Sequence, residues 1–130
     1  MSYYSKIVPC EMAIKLDFKK FGCAVDSYYR IKDNENELVS KTQKEVGQLT
    51  GQFVKAPTYG EVLDWLATKG IAIELIPYLT YALQTKFGYD YILYKYNEET
   101  GVLEKYHWND FASFELCMKY AIEKALTLIN

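Results

Sequence analysis

Hydrophobic residues recur at helical spacing in three stretches of the chain. Met12, Ala13, Leu16 and Phe21 fall near one face, with Lys15, Lys19 and Lys20 turned away. That spacing predicts a helix from Pro9 to Phe21. Pro9 suits a first helical turn, where its missing N–H costs nothing, and Gly22 is the expected left-handed terminator. The second helix has the clearest start. Ala56-Pro57 is extended, because proline biases its predecessor away from helix, and Thr58-Tyr59-Gly60-Glu61 has capping-box spacing. Tyr59, Val62, Leu63 and Leu66 form its inward stripe, and Gly70 closes it. The third helix is predicted from a cap at Asn109 or Asp110 to Ile129. Phe111, Phe114, Met118, Ala121, Ala125 and Leu128 mark its core face.

Elsewhere the period shortens towards two. Cys23 to Lys32 alternates imperfectly and reads as a strand, residues 33–37 as a polar turn, and Leu38 to Ser40 as a short returning strand. From Lys41 to Lys55 the pattern fades around Gly47 and Gly51, so 41–55 is a candidate flexible loop. Ile71 to Ile76 is a strand that Pro77 either ends or places on a sheet edge. Tyr81 to Phe87 is a candidate further strand, broken by Gly88. Tyr89–Tyr96 and Val102–Trp108 make a hairpin around residues 97–101. The order α-β-β-α-β-β-β-α, with short turns between strands, predicts one α+β domain over residues 1–130. Its antiparallel sheet would have about four to five strands, with three helices packed on it.

Composition changes this picture little. Half of the 130 residues are hydrophobic, a quarter are charged, and the net charge is -2. That balance speaks against a disordered chain and against a dedicated nucleic-acid binder with a strong basic footprint. Residues 1–32 are net basic and the remainder net acidic, too mildly to name a partner. Met1 to Lys6 is polar and no apolar run of a secretory signal follows, and no stretch is long and apolar enough to span a membrane. Cys10, Cys23 and Cys117 are an odd number with no short metal-ligand spacing. The expectation is therefore a cytoplasmic protein with reduced thiols, no metal and no cofactor.

Catalytic groups are sparse. His107 is the only histidine, at the end of a predicted strand, and no nucleophile-elbow pattern accompanies it. Gly47 and Gly51 lack the Lys-Ser/Thr of a phosphate loop. Glu61 is accounted for by capping and Asp64 by the helix N-terminus.

Aromatic and apolar surface is the richer signal. The chain has 13 Tyr against 6 Phe and 2 Trp. In a regular strand Tyr89 and Tyr91 face one side and Tyr94 and Tyr96 the other, with Tyr106 on the partner strand. Such a ribbon, near Lys86, Lys95 and Lys105, can stack unpaired bases. Asp90, Glu98, Glu99 and Glu104 in the same hairpin oppose phosphate, and cross-strand packing accounts for the same tyrosines. Trp65 falls at the edge of the second helix's stripe. Leu116, Tyr120 and Ile122 widen the last helix beyond the apolar arc of about 100° that one sheet face requires. Trp65, Leu116 and Tyr120 are thus candidate interface residues.

Three segments together carry a resemblance. They are Cys10-Glu11-Met12-Ala13-Ile14-Lys15-Leu16 with Phe21-Gly22, then Ala56-Pro57-Thr58-Tyr59-Gly60-Glu61-Val62-Leu63-Asp64-Trp65-Leu66 with Lys69-Gly70-Ile71, and Ser113-Phe114-Glu115 with Ala121-Ile122-Glu123-Lys124-Ala125-Leu126. In this order they resemble a group of short, uncharacterised proteins of bacteriophages and prophages of gut bacteria, outside segment 41–55. The resemblance implies a genomic setting, without an activity or site residues. The expected function is a non-catalytic accessory protein that binds a protein partner or itself, as a homodimer. The alternatives are a single-stranded nucleic-acid binder using Tyr89, Tyr91, Tyr94, Tyr96 and Tyr106, and a small enzyme with an unfamiliar site around His107.

Overall fold

The computed structural model describes residues 3–31, 36–40, 51–79 and 87–129. The protein is α+β, and the described residues form three α-helices and two three-stranded antiparallel sheets. The single larger sheet predicted from the sequence is thus replaced by two. The chain divides into two compact units, Met1–Trp65 and Leu66–Asn130.

In the first unit, α1 (Cys10–Phe18) buries Met12, Ala13 and Leu16. It ends earlier than predicted, and Gly22 is not its terminator. Lys20 takes the left-handed conformation, with φ 61°. The Phe21 N–H then donates to Leu16 O at 3.1 Å and the Lys20 N–H to Asp17 O at 3.0 Å, the paired bonds of a Schellman ending. This register places Phe21, which is buried, at the position that packs back on the helix. A glycine one residue later cannot do that. The backbone penalty of a left-handed lysine, about 1–2 kcal/mol, is offset by that burial.

The sheet of this unit has the order β2-β1-β3, with β1 (Tyr28–Ile31) central, β2 (Glu37–Val39) and β3 (Gln52–Lys55). Tyr29 lies opposite Leu38 on one side and Val54 on the other. β1 starts later than predicted. Residues before it are tied down otherwise: Lys55 Nζ donates to Cys23 O at 2.8 Å, and the Ala56 N–H to Ser27 O at 2.9 Å. β3 shows that the segment predicted as loop ends in a strand, with Val54 buried. Residues 41–50 of that segment, and 33–35 of the predicted turn, lie outside the described residues.

The unit boundary falls within α2 (Tyr59–Thr68). Its capping box is formed in both directions. The Glu61 N–H donates to Thr58 Oγ1 at 3.2 Å, and the Thr58 N–H to Glu61 Oε1 at 2.8 Å. Tyr59, Val62, Trp65 and Leu66 are buried, while Leu63 is half-buried. The buried stripe is therefore rotated towards Trp65. Gly70, at φ 76°, follows the helix.

The second unit is a sheet of order β4-β5-β6 with α3 (Phe114–Thr127) packed on one face. β4 (Ile71–Leu79) passes through Pro77, which pairs with Tyr89; β4 is an edge strand, where a missing N–H is tolerated. Gly88 does not interrupt β5 (Phe87–Asn97). The Tyr78 ring lies so close over it that a Cβ there would come within 2.6 Å of Tyr78 Cζ. Residues 81–86 of the predicted strand lie outside the described residues. The hairpin turn is held by Asn97, whose Oδ1 accepts from the N–H groups of Glu99 and Thr100, and by Gly101 at φ 70°.

β6 (Val102–Phe111) runs three residues further than predicted, through a bulge. Tyr91 pairs with Trp108, but Tyr89 pairs with Phe111, so β6 carries one extra residue between them. Accordingly α3 starts later than the predicted caps Asn109 and Asp110. Ser113 caps it, its Oγ accepting from the Leu116 N–H at 3.1 Å. Phe114, Cys117, Met118, Ala121, Ile122, Ala125 and Leu126 are buried. Ile122, predicted to lie off the core face, belongs to it, and Leu128 is half-buried beyond the helix.

Candidate binding groove

The pairing register sorts the residues of this sheet between its faces. Tyr91 lies opposite Leu75 and Trp108, and Leu93 opposite Ile73 and Tyr106. Opposed residues share a face, and this is the face that α3 covers: Tyr91 and Leu93 are buried, and Tyr89 meets Phe114 edge-to-face at 6.2 Å. Tyr94 pairs with Ala72 and Lys105, and Tyr96 with Leu103, on the other face.

The five tyrosines proposed as an aromatic surface are therefore divided. Tyr89 and Tyr106 are half-buried and Tyr91 is 3 % exposed, all on the helix side. On the other face Tyr96 is 49 % exposed and Tyr94 half-buried, with Lys105 Nζ 6.0 Å from the Tyr94 ring centre.

Where α3 leaves β6 uncovered, a groove of about 300 Å³ opens, lined by Tyr91, Trp108, Tyr120, Glu123, Lys124 and Thr127. Its aromatic wall is continuous. Trp108 stands parallel to Tyr91, with ring centres 6.2 Å apart and planes at 9°. Tyr91 meets Phe111 at 5.7 Å, and Phe111 meets Tyr120 at 5.3 Å. Four rings thus run from the edge strand across the central strand to the helix. The bulge makes this possible, since it returns Phe111 to the same face as Trp108.

The groove is wet at its rim and apolar at its floor. Trp108 is 52 % exposed and Tyr120 48 %. Lys124 Nζ sits 4.9 Å from the centre of the Tyr106 ring, just outside the lining. The Tyr106 hydroxyl donates to Glu104 Oε2 at 3.0 Å, and that bond raises its pKa. Burial raises the pKa of Tyr91 too, with the Cys117 thiol adding to the effect, so the groove floor presents a neutral phenol.

Of the three candidate interface residues, two are exposed on α3. Tyr120 lines the groove and Leu116, one helical turn before it, is 40 % exposed. Trp65 is not at the surface: it is 4 % exposed and packs edge-to-face on Phe21 at 5.3 Å. The sequence reading missed Trp108 as a surface anchor. The available signal was its place in an amphipathic strand after a hairpin, which the early predicted end of β6 hid. His107 lies on the opposite sheet face, exposed, with Nε2 3.9 Å from Asp90 Oδ2. Cys10, Cys23 and Cys117 are free thiols. Among the described residues, no three of His, Cys, Asp or Glu gather as a metal site, and no helix is long and apolar enough to cross a membrane.

Comparison with known proteins adds no name to this geometry: no protein-family model, curated protein or solved structure matches the chain.

Proposed function

We propose that the chain is a small non-catalytic interaction module that binds a protein partner, or a second copy of itself, through the groove between β6 and α3. The observation that carries this reading is the pair Trp108 and Tyr120, each about half exposed on opposite walls of one aromatic-floored groove. Large aromatic side chains held rigidly by neighbouring rings lose little entropy on binding and dominate interface energetics. Leu116 extends the apolar surface along α3. A phage or prophage setting, which the resemblance of the sequence implies, suits an accessory protein that acts by association.

The test starts from a partner that the wild-type chain captures and that is then purified, with sedimentation of the chain alone covering self-association. Titrated in purified form, Trp108→Ala and Tyr120→Ala should each weaken binding about thirtyfold, the cost of losing a central anchor. Unchanged affinity in both variants would remove the groove from the function.

A second reading rests on the other sheet face, where Tyr96 is exposed and Lys105 lies over Tyr94. There the partner is single-stranded nucleic acid, stacked on the rings. Its mark is affinity that falls steeply with salt through counterion release and is insensitive to Trp108→Ala.

A further inference from the structure

The two outer strands of the β4-β5-β6 sheet differ in what they offer along their edges. In an antiparallel sheet, successive residues of a strand point their N–H and C=O groups alternately to one neighbour and to the other. The Tyr96 N–H donates to Gly70 O at 3.0 Å, on the β4 side, so Tyr91, Leu93, Lys95 and Asn97 turn theirs towards β6. The same parity turns the Pro77 nitrogen outwards, as a residue without an N–H requires. Pro77 thus blunts the β4 edge. On β6 the residues opposite those of β5, which are Val102, Glu104, Tyr106 and Trp108, bond inwards. Leu103, Lys105 and His107 aim their N–H and C=O groups at the outer edge, and among the described residues β6 pairs with β5 alone.

This edge runs beside the groove, since Trp108 belongs to both. The side chains of Glu104, Tyr106 and Trp108 lie on the face that α3 covers, and those of Leu103, Lys105 and His107 on the other. A strand laid along the edge would therefore do two things at once. It would bring backbone partners to the three outward residues, and it would set alternate side chains within reach of Tyr106 and Trp108. A second copy of β6 fits poorly there. A twofold axis at Glu104 or Lys105 sets like charges directly opposite each other, and one at Tyr106 sets Glu104 against Trp108 of the second copy.

We infer that β6 receives an extended segment of a different protein as a fourth, antiparallel strand, with every second side chain, apolar, entering the groove beside Trp108. The inference rests on the groove being the binding site and adds the form in which the partner arrives. Antiparallel addition continues a sheet in which every pair is antiparallel, and it is the slightly more stable pairing. Main-chain bonds then give affinity with little regard to sequence, and the groove selects the side chains.

The test uses the full chain labelled with ¹⁵N and the peptide acetyl-Thr-Val-Glu-Phe-Glu-Val-Thr-amide, whose Val and Phe side chains share one face. Bound peptide should shift the Trp108 indole N–H and slow hydrogen exchange at the Leu103, Lys105 and His107 amides. Glu104 and Tyr106, already bonded to β5, should change little. N-methylation of the two Glu amides, whose N–H groups would face β6, should weaken binding about tenfold or more. N-methylation of the Phe amide and one Val amide, which face solvent, should leave binding within about twofold. Lys105→Pro removes one outward N–H and no bond to β5, so thermal unfolding should stay near that of the wild type while the peptide binds about fivefold more weakly. Equal affinity of the two methylated peptides, or no added protection at the three amides with peptide at about 2 mM, overturns the inference. A purified partner separates this outcome from the fate of the groove. If its binding depends on Trp108 while the three amides stay unprotected in the complex, the groove remains the interface and the added strand is wrong. If the three amides are protected while Trp108→Ala and Tyr120→Ala bind as the wild type does, the added strand stands and the groove falls.

Discussion

Thr58 and Glu61 exchange hydrogen bonds at 2.8 and 3.2 Å, so each half of the box can be tested by one substitution. Thr58→Ala removes the acceptor for the Glu61 N–H and should cost about 0.5–2 kcal/mol in urea unfolding. A loss below that range would mean that water replaces the cap without penalty. Cys117 makes a different kind of prediction. Full burial, with the Asp90 carboxylate adding to it, pushes its pKa from the usual 9.0 up to about 12. The thiol stays neutral in the fold while the unfolded chain's ionises from pH 9. Its contribution to stability is therefore complete below pH 9 and is lost as pH climbs towards 12. Burial raises Tyr28, Tyr29 and Tyr91 above 10.0, in the same direction. Unfolding free energy should fall with pH across this alkaline window, and Cys117→Ala should flatten the slope. In the native protein at pH 8, alkylating reagents should leave Cys117 untouched until the chain is unfolded.

At the scale of elements, the parts of the fold legible in the sequence were those fixed by local chemistry. The capping box, the 97–101 turn and the helical period of α1 and α3 each depend on residues within a few positions of one another. What escaped depended on distant packing. Gly88 looks like a strand breaker, but the Tyr78 ring from the neighbouring strand fills the space over it. Gly88→Ala should therefore destabilise the sheet, and adding Tyr78→Ala should recover part of the loss. A coupling of about 0.5–3 kcal/mol is expected in the double-mutant cycle, and strict additivity would show that the ring does not press on this position. Gly22 looks like a helix terminator, but the burial of Phe21 selects Lys20 for the left-handed turn instead. The end of β6 escaped because a bulge breaks the alternation after Trp108.

For the molecule as a whole, the two tryptophans divide labour between stability and recognition. Trp65, packed on Phe21, belongs to a core, and Trp65→Ala should cost about 3–5 kcal/mol. Trp108→Ala should cost far less stability, because half of that side chain is already in water, while it loses partner binding. Thermal unfolding and affinity measured on both variants should give opposite rankings. The reverse ranking would place the functional surface elsewhere. Tyr120 and Leu116, which the helical period sets off the core face, are exposed on α3. Trp65 was misjudged because it lies next to the predicted stripe, and only the rotation of the helix decides whether such a position faces in or out.

Strands count in twos, and the bulge in β6 adds an odd number. Trp108 and Phe111 are three apart in the chain, so a regular strand would send them to opposite faces; the extra residue at 109–110 restores their parity. A single-residue deletion there would leave the two rings two apart, and a regular strand would then keep them on one face. A strand that lost the bulge at unchanged length would instead turn Phe111 away from Tyr91 and Tyr120 and break the row of rings in the middle. In this stretch the bulge and the residue count are matched, so losing both together disturbs the row of rings less than losing the bulge alone.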